Sequence, residues 1–150
     1  MLNRFEQFSY VISGINRYIQ KTERDEMIKY GYKGAYAQYL VALHRYPDGL
    51  TAAQLCEICD KDKAAVSRIV VEMEERGLVI RQSDNERYYK AMILLTEEGK
   101  RISDHVCERA RAAVAAVGIE MNEEGRKVLY ETLDFIAAKL QILSKEGIPK

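Results

Sequence analysis

The chain has 150 residues, 47% of them apolar, which is enough for one ordinary domain with its own core and too few for two of full size. Lysine plus arginine and aspartate plus glutamate number 23 each, so the formal net charge is zero and composition alone does not indicate a nucleic-acid partner. Neither a signal peptide nor an apolar run of roughly 18 residues is present, so we expect a cytoplasmic protein of one domain, 1–150, with no membrane partner.

The apolar pattern of the N-terminal third predicts two amphipathic helices. In the first, apolar residues recur at alternating spacings of three and four, at Phe5, Phe8, Ile12, Ile15 and Ile19. A polar break at 22–29 and two glycines then separate it from the second helix. That helix carries Tyr36, Tyr39, Leu40 and Leu43 and ends at the turn residues 47–49.

Two short helices joined by a tight turn are predicted next. Thr51 and Gln54 have the spacing of a capping box, and Asp62 is a good N-cap for the second helix. On the second helix, apolar residues at i, i+3, i+4 and i+7 share the face expected to pack inward, namely Val66, Ile69, Val70 and Met73. The other side carries Lys63, Ala64, Ser67, Arg68 and Val71.

The residues of this second helix suit a helix that reads DNA. A small, basic N-terminal half can enter the major groove while a buried back face holds the helix rigid. Its acids, Glu72, Glu74 and Glu75, lie at the C-terminal end, where the helix dipole disfavours them. They are better placed if that end points away from phosphates. The alternative is that Lys63 and Arg68 are solvated charges on an ordinary core helix.

A two-stranded hairpin is predicted after Gly77, which would end the helix as a C′ glycine. One strand starts at 78–80, the chain reverses at 83–86, and a second strand returns over 87–95. A helix-turn-helix followed by such a hairpin is a winged helix. Three basic residues flank its tip and could reach the DNA backbone or minor groove, namely Arg81, Arg87 and Lys90. The acids Asp84 and Glu86 leave a solvated loop as the alternative.

The C-terminal third is predicted to form a connecting helix over 96–117, capped by Thr96, and a last helix capped by Asn122. The last helix has a narrow, coiled-coil-like apolar seam. Together with the first helix, this seam predicts pairing with a second chain through Phe5, Phe8, Ile12, Ile15, Leu133, Ile136, Leu140 and Leu143. The dimerisation helices then cover about 1–30 and 118–150, and the winged helix about 31–100. The alternative is that both helices pack on their own domain.

The chain has three cysteines, an odd number without an export signal, so we expect reduced thiols and no disulfide framework. Cys56 and Cys59 form a C-x-x-C, which with His105 and Cys107 could suggest a zinc site. His105 and Cys107 are two residues apart on a predicted helix, so their side chains diverge. We expect no metal, no cofactor and no enzymatic activity, since neither histidine is near a nucleophile motif. A thiol-based redox sensor remains an alternative.

Linked motifs from Leu50 to Lys100 resemble the MarR family of bacterial transcription regulators. GLTAAQL, DKAAVSRIVVEMEERGLVIR and LLTEEGK follow one another in the family's order and without gaps. The resemblance implies a mainly α fold, a homodimer with intertwined first and last helices, and a winged helix in each subunit that reads a pseudo-palindromic operator. It also implies a ligand or an oxidant that weakens DNA binding.

Carried over residue by residue, the resemblance assigns major-groove contacts to Lys63, Ala64, Ser67 and Arg68, and phosphate contacts to Thr51 and Gln54. The wing departs from the family pattern, which usually has Asp-x-Arg or Asp-Arg-Arg where this chain has Arg87-Tyr88-Tyr89. Arg87 is the expected minor-groove arginine, although its Asp neighbour is missing, and Lys90 is a further expected wing contact.

Three tyrosines, Tyr32, Tyr36 and Tyr39, lie on or near the second helix, which borders the cleft of a MarR-like dimer. They suit a small aromatic effector, although packing is the commoner role of such residues. The prediction is a homodimeric repressor that binds double-stranded operator DNA and is released by a small ligand. The alternative from another class is a winged-helix dimer that makes protein contacts and does not bind DNA.

Overall fold

The computed structural model describes residues 3–83 and 91–149. The helices are α1 (Arg4–Lys29), a short 3-10 turn (Gly34–Tyr36), α2 (Ala37–Arg45), α3 (Ala52–Cys59), α4 (Lys63–Glu75), α5 (Glu97–Gly118) and α6 (Glu123–Glu146). Two strands, β1 (Val79–Gln82) and β2 (Met92–Leu95), form an antiparallel sheet. The chain divides into two compact units, Met1–Arg111 and Ala112–Lys150. The predicted fold class, mainly α with a winged helix-turn-helix and a two-stranded β-wing, is confirmed.

The first helix, α1, is continuous to Lys29, so the polar break predicted at 22–29 is wrong. Its C-terminal part belongs to the core, because Met27 is fully buried. Glu26 is 5% exposed, and its carboxylate lies 2.7 Å from the Lys29 ammonium and 3.0 Å from His105 Nε2. The helix can continue through this polar stretch because the buried Glu26 carboxylate has Lys29 and His105 as partners.

The starts of α3 and α4 are fixed by the side chains predicted to cap them. At α3, Gln54 N donates to Thr51 Oγ1 at 3.2 Å, and Thr51 N donates to Gln54 Oε1 at 2.8 Å. At α4, Ala65 N donates to Asp62 Oδ1 at 2.7 Å. Asp60 turns the chain between the two helices in the left-handed conformation, with φ of 50°. Both predicted caps are confirmed, and together they satisfy backbone donors that the helices cannot satisfy themselves.

The core of the first unit is built from one face of each helix around α2. The inward face predicted for α4 is confirmed, with every member at most 8% exposed: Val66, Ile69, Val70 and Met73. Burying four such side chains stabilises the domain by roughly 1.5–3 kcal/mol each relative to exposure. The back of α4 is therefore held against a packed interior.

The hairpin is joined to the helices at both of its ends. β1 and β2 pair with Val79 opposite Leu95, and Leu50 adds a bridge to Ile93, whose N donates to Leu50 O at 2.8 Å. Thr96 Oγ1 accepts from Gly99 N at 3.0 Å, which caps α5, and donates to the carbonyl oxygen of Gly77 at 2.6 Å. One hydroxyl thus ties the end of α4 to the start of α5.

In the second unit, α6 begins at the predicted N-cap, where Gly125 N donates to Asn122 Oδ1 at 2.7 Å. None of the described α6 side chains is buried within this chain. None of the described helices is long and apolar enough to cross a membrane.

Candidate nucleic-acid interface

The exposed side of α4 carries four of the residues predicted to contact DNA. Lys63, Ala64, Ser67 and Arg68 are all exposed, on the side opposite the buried apolar face. Within residues 3–83 and 91–149, neither Lys63 nor Arg68 has an ion-pair partner. The fold thus brings these four side chains together on one accessible surface, and two of them are cations without an ion-pair partner among the described residues.

The start of α3 offers a weaker contact for phosphate. The oxygens of Thr51 and Gln54 accept backbone hydrogen bonds in the capping box, so a phosphate contact would need the Thr51 O–H or the Gln54 NH₂ as its donor. Gln54 is exposed, and its side-chain NH₂ group remains able to donate to a phosphate oxygen. Thr51 therefore acts first as a cap, and its predicted phosphate contact remains a prediction.

The tip of the wing lies outside the described residues, together with the predicted contacts Arg87 and Lys90. Arg81, predicted to flank that tip, sits on β1 with its Nε 3.1 Å from Glu74 Oε2. This contact has the distance of an ion pair, although the buried Arg81 Nε makes no hydrogen bond within the described part of the chain. Arg81 joins the first strand to the C-terminal end of α4.

Two of the acids at the C-terminal end of α4 are engaged with the protein, a feature that the sequence did not reveal. Glu72 Oε2 accepts from Lys33 Nζ at 2.8 Å and from the Tyr36 hydroxyl at 3.0 Å. The hydrogen bond from Lys33 holds the pKa of the Glu72 carboxyl below its usual value. Glu74 is the acid that pairs with Arg81. Partners 39 and 36 residues before Glu72 leave no local signal in the sequence.

The three tyrosines predicted to suit a small aromatic effector contact other residues of the chain. Tyr36 and Tyr39 are each 2% exposed and belong to the core, where burial raises the pKa of both hydroxyls. Tyr32 is half-buried, with the guanidinium of Arg76 4.7 Å from its ring centroid, and Arg76 Nη2 donates to Gly31 O at 3.3 Å. All three side chains thus pack against other residues of the chain, and a contact with an effector stays a prediction.

A small polar cavity of about 120 Å³ opens between α1, the 3-10 turn, α2 and the turn before α4. Its lining residues are Gln20, Glu23, Arg24, Gly34, Ala35, Ala37, Gln38 and Lys61. Glu23 is 8% exposed and has no hydrogen bond or ion pair with any other described residue. Burial raises the pKa of its carboxyl, against the nearby charges of Arg45 and Arg24. The cavity could accept a compact polar molecule that donates to this carboxylate.

The cysteines are free and half-buried. Cys59 Sγ donates to the carbonyl oxygen of Gln38 at 3.8 Å, and burial raises the pKa of this thiol to about 11. Burial raises the pKa of Cys107 as well. Since the thiolate is the reactive form, both thiols are poor nucleophiles at neutral pH. In the described part of the chain, no three histidine, cysteine, aspartate or glutamate side chains are grouped to hold a metal ion.

The eight residues predicted to form a dimer interface are all exposed or half-buried within the single chain. On α1, Phe5 is 74% exposed and Ile15 is 51% exposed, and Phe8 and Ile12 are exposed beside them. On α6, Leu140 is 55% exposed, while the others are half-buried, namely Leu133, Ile136 and Leu143. Each helix thus presents an apolar side that its own unit does not cover.

Comparison with known proteins shows which families and solved structures this chain is similar to. Residues 30–87 match the model of the MarR family, whereas no curated protein matches the chain. A MarR-family transcriptional regulator from Listeria monocytogenes, solved with 26mer DNA, is 18% identical over 100% of this chain and 99% of that one, with a TM-score of 0.77. A MarR transcriptional regulator from Methanosarcina mazei Go1 is 22% identical, covering 95% of this chain and 94% of that one, with a TM-score of 0.76.

A third solved structure, CouR from Rhodococcus jostii RHA1 bound to p-coumaroyl-CoA, is 23% identical over 87% of this chain and 91% of that one, with a TM-score of 0.65. At these identities the likenesses establish the fold. Residues 30–87 therefore carry a segment that matches the MarR family of transcriptional regulators, and the chain shares the fold of the solved MarR-family regulators.

Proposed function

We propose that this protein is a cytoplasmic, homodimeric repressor that binds double-stranded operator DNA through α4 and is released by a small ligand. The observation that carries the proposal is the division of α4 into an exposed, small and basic side and a fully packed apolar side. A recognition helix needs both, because the side chains that read base edges must be accessible and their backbone must be rigid.

In this proposal Arg68 and Lys63 contact base edges and phosphates in the major groove, and Ser67 and Ala64 allow a close approach. Thr51 and Gln54 lie at the start of α3, where backbone N–H groups favour a phosphate. Arg87 and Lys90 would extend the contact from the wing to the flanking groove or backbone. The structure of the L. monocytogenes relative with 26mer DNA supports the same use of the fold.

The homodimer is supported by the uncovered apolar sides of α1 and α6. Side chains such as Phe5 and Leu140 are more than half exposed, and a soluble monomer rarely displays contiguous apolar patches of this kind. A second copy would cover them through a two-fold interface. The same symmetry would present two α4 helices to half-sites about one helical turn apart, roughly 34 Å.

The ligand proposal rests on the family relative and on the cavity. CouR was solved with p-coumaroyl-CoA, so at least one protein of this fold binds an aromatic compound. Here Tyr36 and Tyr39 are buried, and an aromatic effector would reach them only if the core around them opened. A compact polar ligand beside Glu23 and Arg24 requires no such opening. We therefore propose the cavity beside Glu23 and Arg24 as the primary effector site. An aromatic effector at Tyr36 and Tyr39 is the alternative, and it requires the core to open.

The test is binding of the purified protein to the DNA around its own coding region, by fluorescence anisotropy at two salt concentrations. We expect tight, salt-sensitive binding confined to a pseudo-palindromic segment, because phosphate contacts release counterions. Arg68→Ala should weaken it by roughly 1–3 kcal/mol, which is about 5- to 150-fold. The matched control is Arg111→Ala, which removes the same charge from α5, where Arg111 pairs with Glu108 on the surface.

Absent or salt-insensitive binding, in protein that has been reduced and freed of small molecules, would favour the protein-contact alternative. Sedimentation equilibrium of the full chain tests the dimer separately. Leu140→Asp should yield a monomer, whereas Ile142→Asp, an equally conspicuous change on the other side of α6, should leave the dimer intact. Identical association of both variants would contradict the proposed seam.

A further inference from the structure

The C-terminal half of α4 is anchored by polar contacts to the segment 30–36, which follows α1. Two donors converge on one oxygen of Glu72: Lys33 Nζ at 2.8 Å and the Tyr36 hydroxyl at 3.0 Å. Tyr36 is itself 2% exposed, so its hydroxyl is held in place by the core. Hydrogen bonds to an ionised carboxylate are short and directional, and the Lys33 contact adds opposite charge.

A second contact lies one turn further along the same side of α4. The guanidinium of Arg76 lies 4.7 Å from the centroid of the Tyr32 ring, and its Nη2 donates to Gly31 O at 3.3 Å. Residues four apart on a helix are neighbours on its surface, so Glu72 and Arg76 form one anchored strip. We call the set Gly31, Tyr32, Lys33, Tyr36, Glu72 and Arg76 the α4 anchor.

The anchor continues the row of residues that includes Arg68, which precedes Glu72 by one turn. The apolar face of α4 fixes how deeply the helix is buried, but apolar contacts are non-directional and constrain its rotation less tightly. Directional hydrogen bonds fix rotation. Base contacts need that precision, because a bidentate contact requires donors and acceptors to meet at hydrogen-bond distance.

We infer that Glu72, held by Lys33 and Tyr36, is a positioning residue that sets the rotation of α4 and so determines discrimination between operator and other DNA. This inference rests on the proposed function, in which α4 reads the operator. It assigns a role to an acid that lies on a DNA-binding helix, where its charge alone would weaken binding.

The sign of the effect separates positioning from simple electrostatics. Glu72→Gln replaces the carboxylate that accepts from Lys33 and Tyr36 by a neutral amide, so the charge-assisted hydrogen bonds of the anchor are lost. It also removes a negative charge near DNA, which by charge alone strengthens binding to any DNA sequence. Positioning predicts the opposite for the operator, with affinity falling about tenfold, as for the loss of one base contact, while affinity for unrelated DNA stays equal or rises. The measured quantity is the ratio of operator to non-specific affinity at fixed salt.

Glu75→Gln is the matched control, because Glu75 is exposed on the same helix and has no partner within the described part of the chain. It makes the same charge change without disturbing the anchor, so the ratio should stay at the wild-type value. Tyr36→Phe keeps the buried ring and removes one of the two hydrogen bonds, and should lower the ratio about threefold, less than Glu72→Gln. Lys33→Glu should also lower the ratio of operator to non-specific affinity. The double variant that combines Lys33→Glu with Glu72→Lys should restore part of that ratio.

Arg68→Ala, measured in parallel, distinguishes failure of the proposed function of α4 from failure of the positioning role of Glu72. Unchanged operator affinity in that variant refutes the proposed function of α4. If Arg68→Ala weakens the operator complex while Glu72→Gln behaves like Glu75→Gln, the proposed function stands and the positioning role of Glu72 is wrong. Equal loss of operator and non-specific binding in Glu72→Gln and Tyr36→Phe also overturns that role, since the anchor would then serve folding alone.

Discussion

Replacing Gly99 by alanine should destabilise the winged helix by about 4 kcal/mol. A Cβ at this position would lie 2.0 Å from the carbonyl oxygen of Leu78, a separation at least 1.0 Å shorter than Cβ contacts in proteins. The obstructing atom belongs to the backbone and cannot rotate away. The first turn of α5 and the residue that precedes β1 must therefore separate by about 1 Å.

The magnitude follows from what that separation disturbs. Thr96 N donates to Leu78 O at 3.0 Å, and Thr96 Oγ1 donates to Gly77 O at 2.6 Å. Weakening two hydrogen bonds costs about 1 kcal/mol each, and overpacking strain adds about 1–3 kcal/mol. In a chain of this length, a loss of about 4 kcal/mol lowers the melting temperature by roughly 8–16 °C.

Urea denaturation followed by circular dichroism measures this effect. Protein concentration must be held constant, because association stabilises the folded state by mass action. Gly118→Ala is the control, since no atom of the described residues lies within 4 Å of its added Cβ, and it should be neutral or stabilising by up to about 1 kcal/mol. A Gly99→Ala protein with the wild-type midpoint would refute the close approach of α5 to Leu78.

Three further changes test the fold and the candidate sites. Thr51→Ala removes the capping box of α3 and should cost about 1 kcal/mol in urea unfolding, so an unchanged midpoint would contradict it. Glu23→Gln should stabilise the protein at pH 7, because burial raises the pKa of the Glu23 carboxyl and the wild-type protein loses stability as the pH rises above the ordinary value of 4.5. In melts across pH, the advantage of the variant over wild type should vanish by about pH 4. Cys59 should react slowly with iodoacetamide at pH 7.5 and rapidly only towards pH 11, and fast labelling at neutral pH would reopen the redox alternative.

The helix starts could be predicted from the sequence because their determinants are local. The caps Thr51, Asp62 and Asn122 each accept from the backbone N–H three residues later, within a single window of sequence. The inward face of α4 was equally readable, because its four apolar residues follow the helical period. Gly99 had a sequence signal in the motif LLTEEGK, but only the structure supplies the physical reason, which is the Leu78 carbonyl.

The features that could not be predicted depend on partners far apart in the chain. The polar stretch after Thr22 looked like a break because one of the partners of the buried Glu26, His105, lies 79 residues away. The acids of α4 looked misplaced for the same reason, since Lys33 precedes Glu72 by 39 residues. A run of charged residues therefore predicts a solvated surface correctly only when their ion-pair partners are nearby in the sequence. It gives a wrong prediction when the partners are distant.

The zero net charge of the chain does not oppose DNA binding once the charges are placed. Glu72 and Glu74 are paired with Lys33 and Arg81, while Lys63 and Arg68 have no ion-pair partner among the described residues. If these two cations contact phosphates in each subunit of a dimer, four contacts predict a slope of log K against log salt of about −3.6. Adding Arg87 and Lys90 from both wings doubles the contacts and predicts about −7. A titration of operator affinity over salt therefore decides whether the wings engage the backbone, and Arg87→Ala should flatten a steep slope by about 2 while leaving a shallow one unchanged.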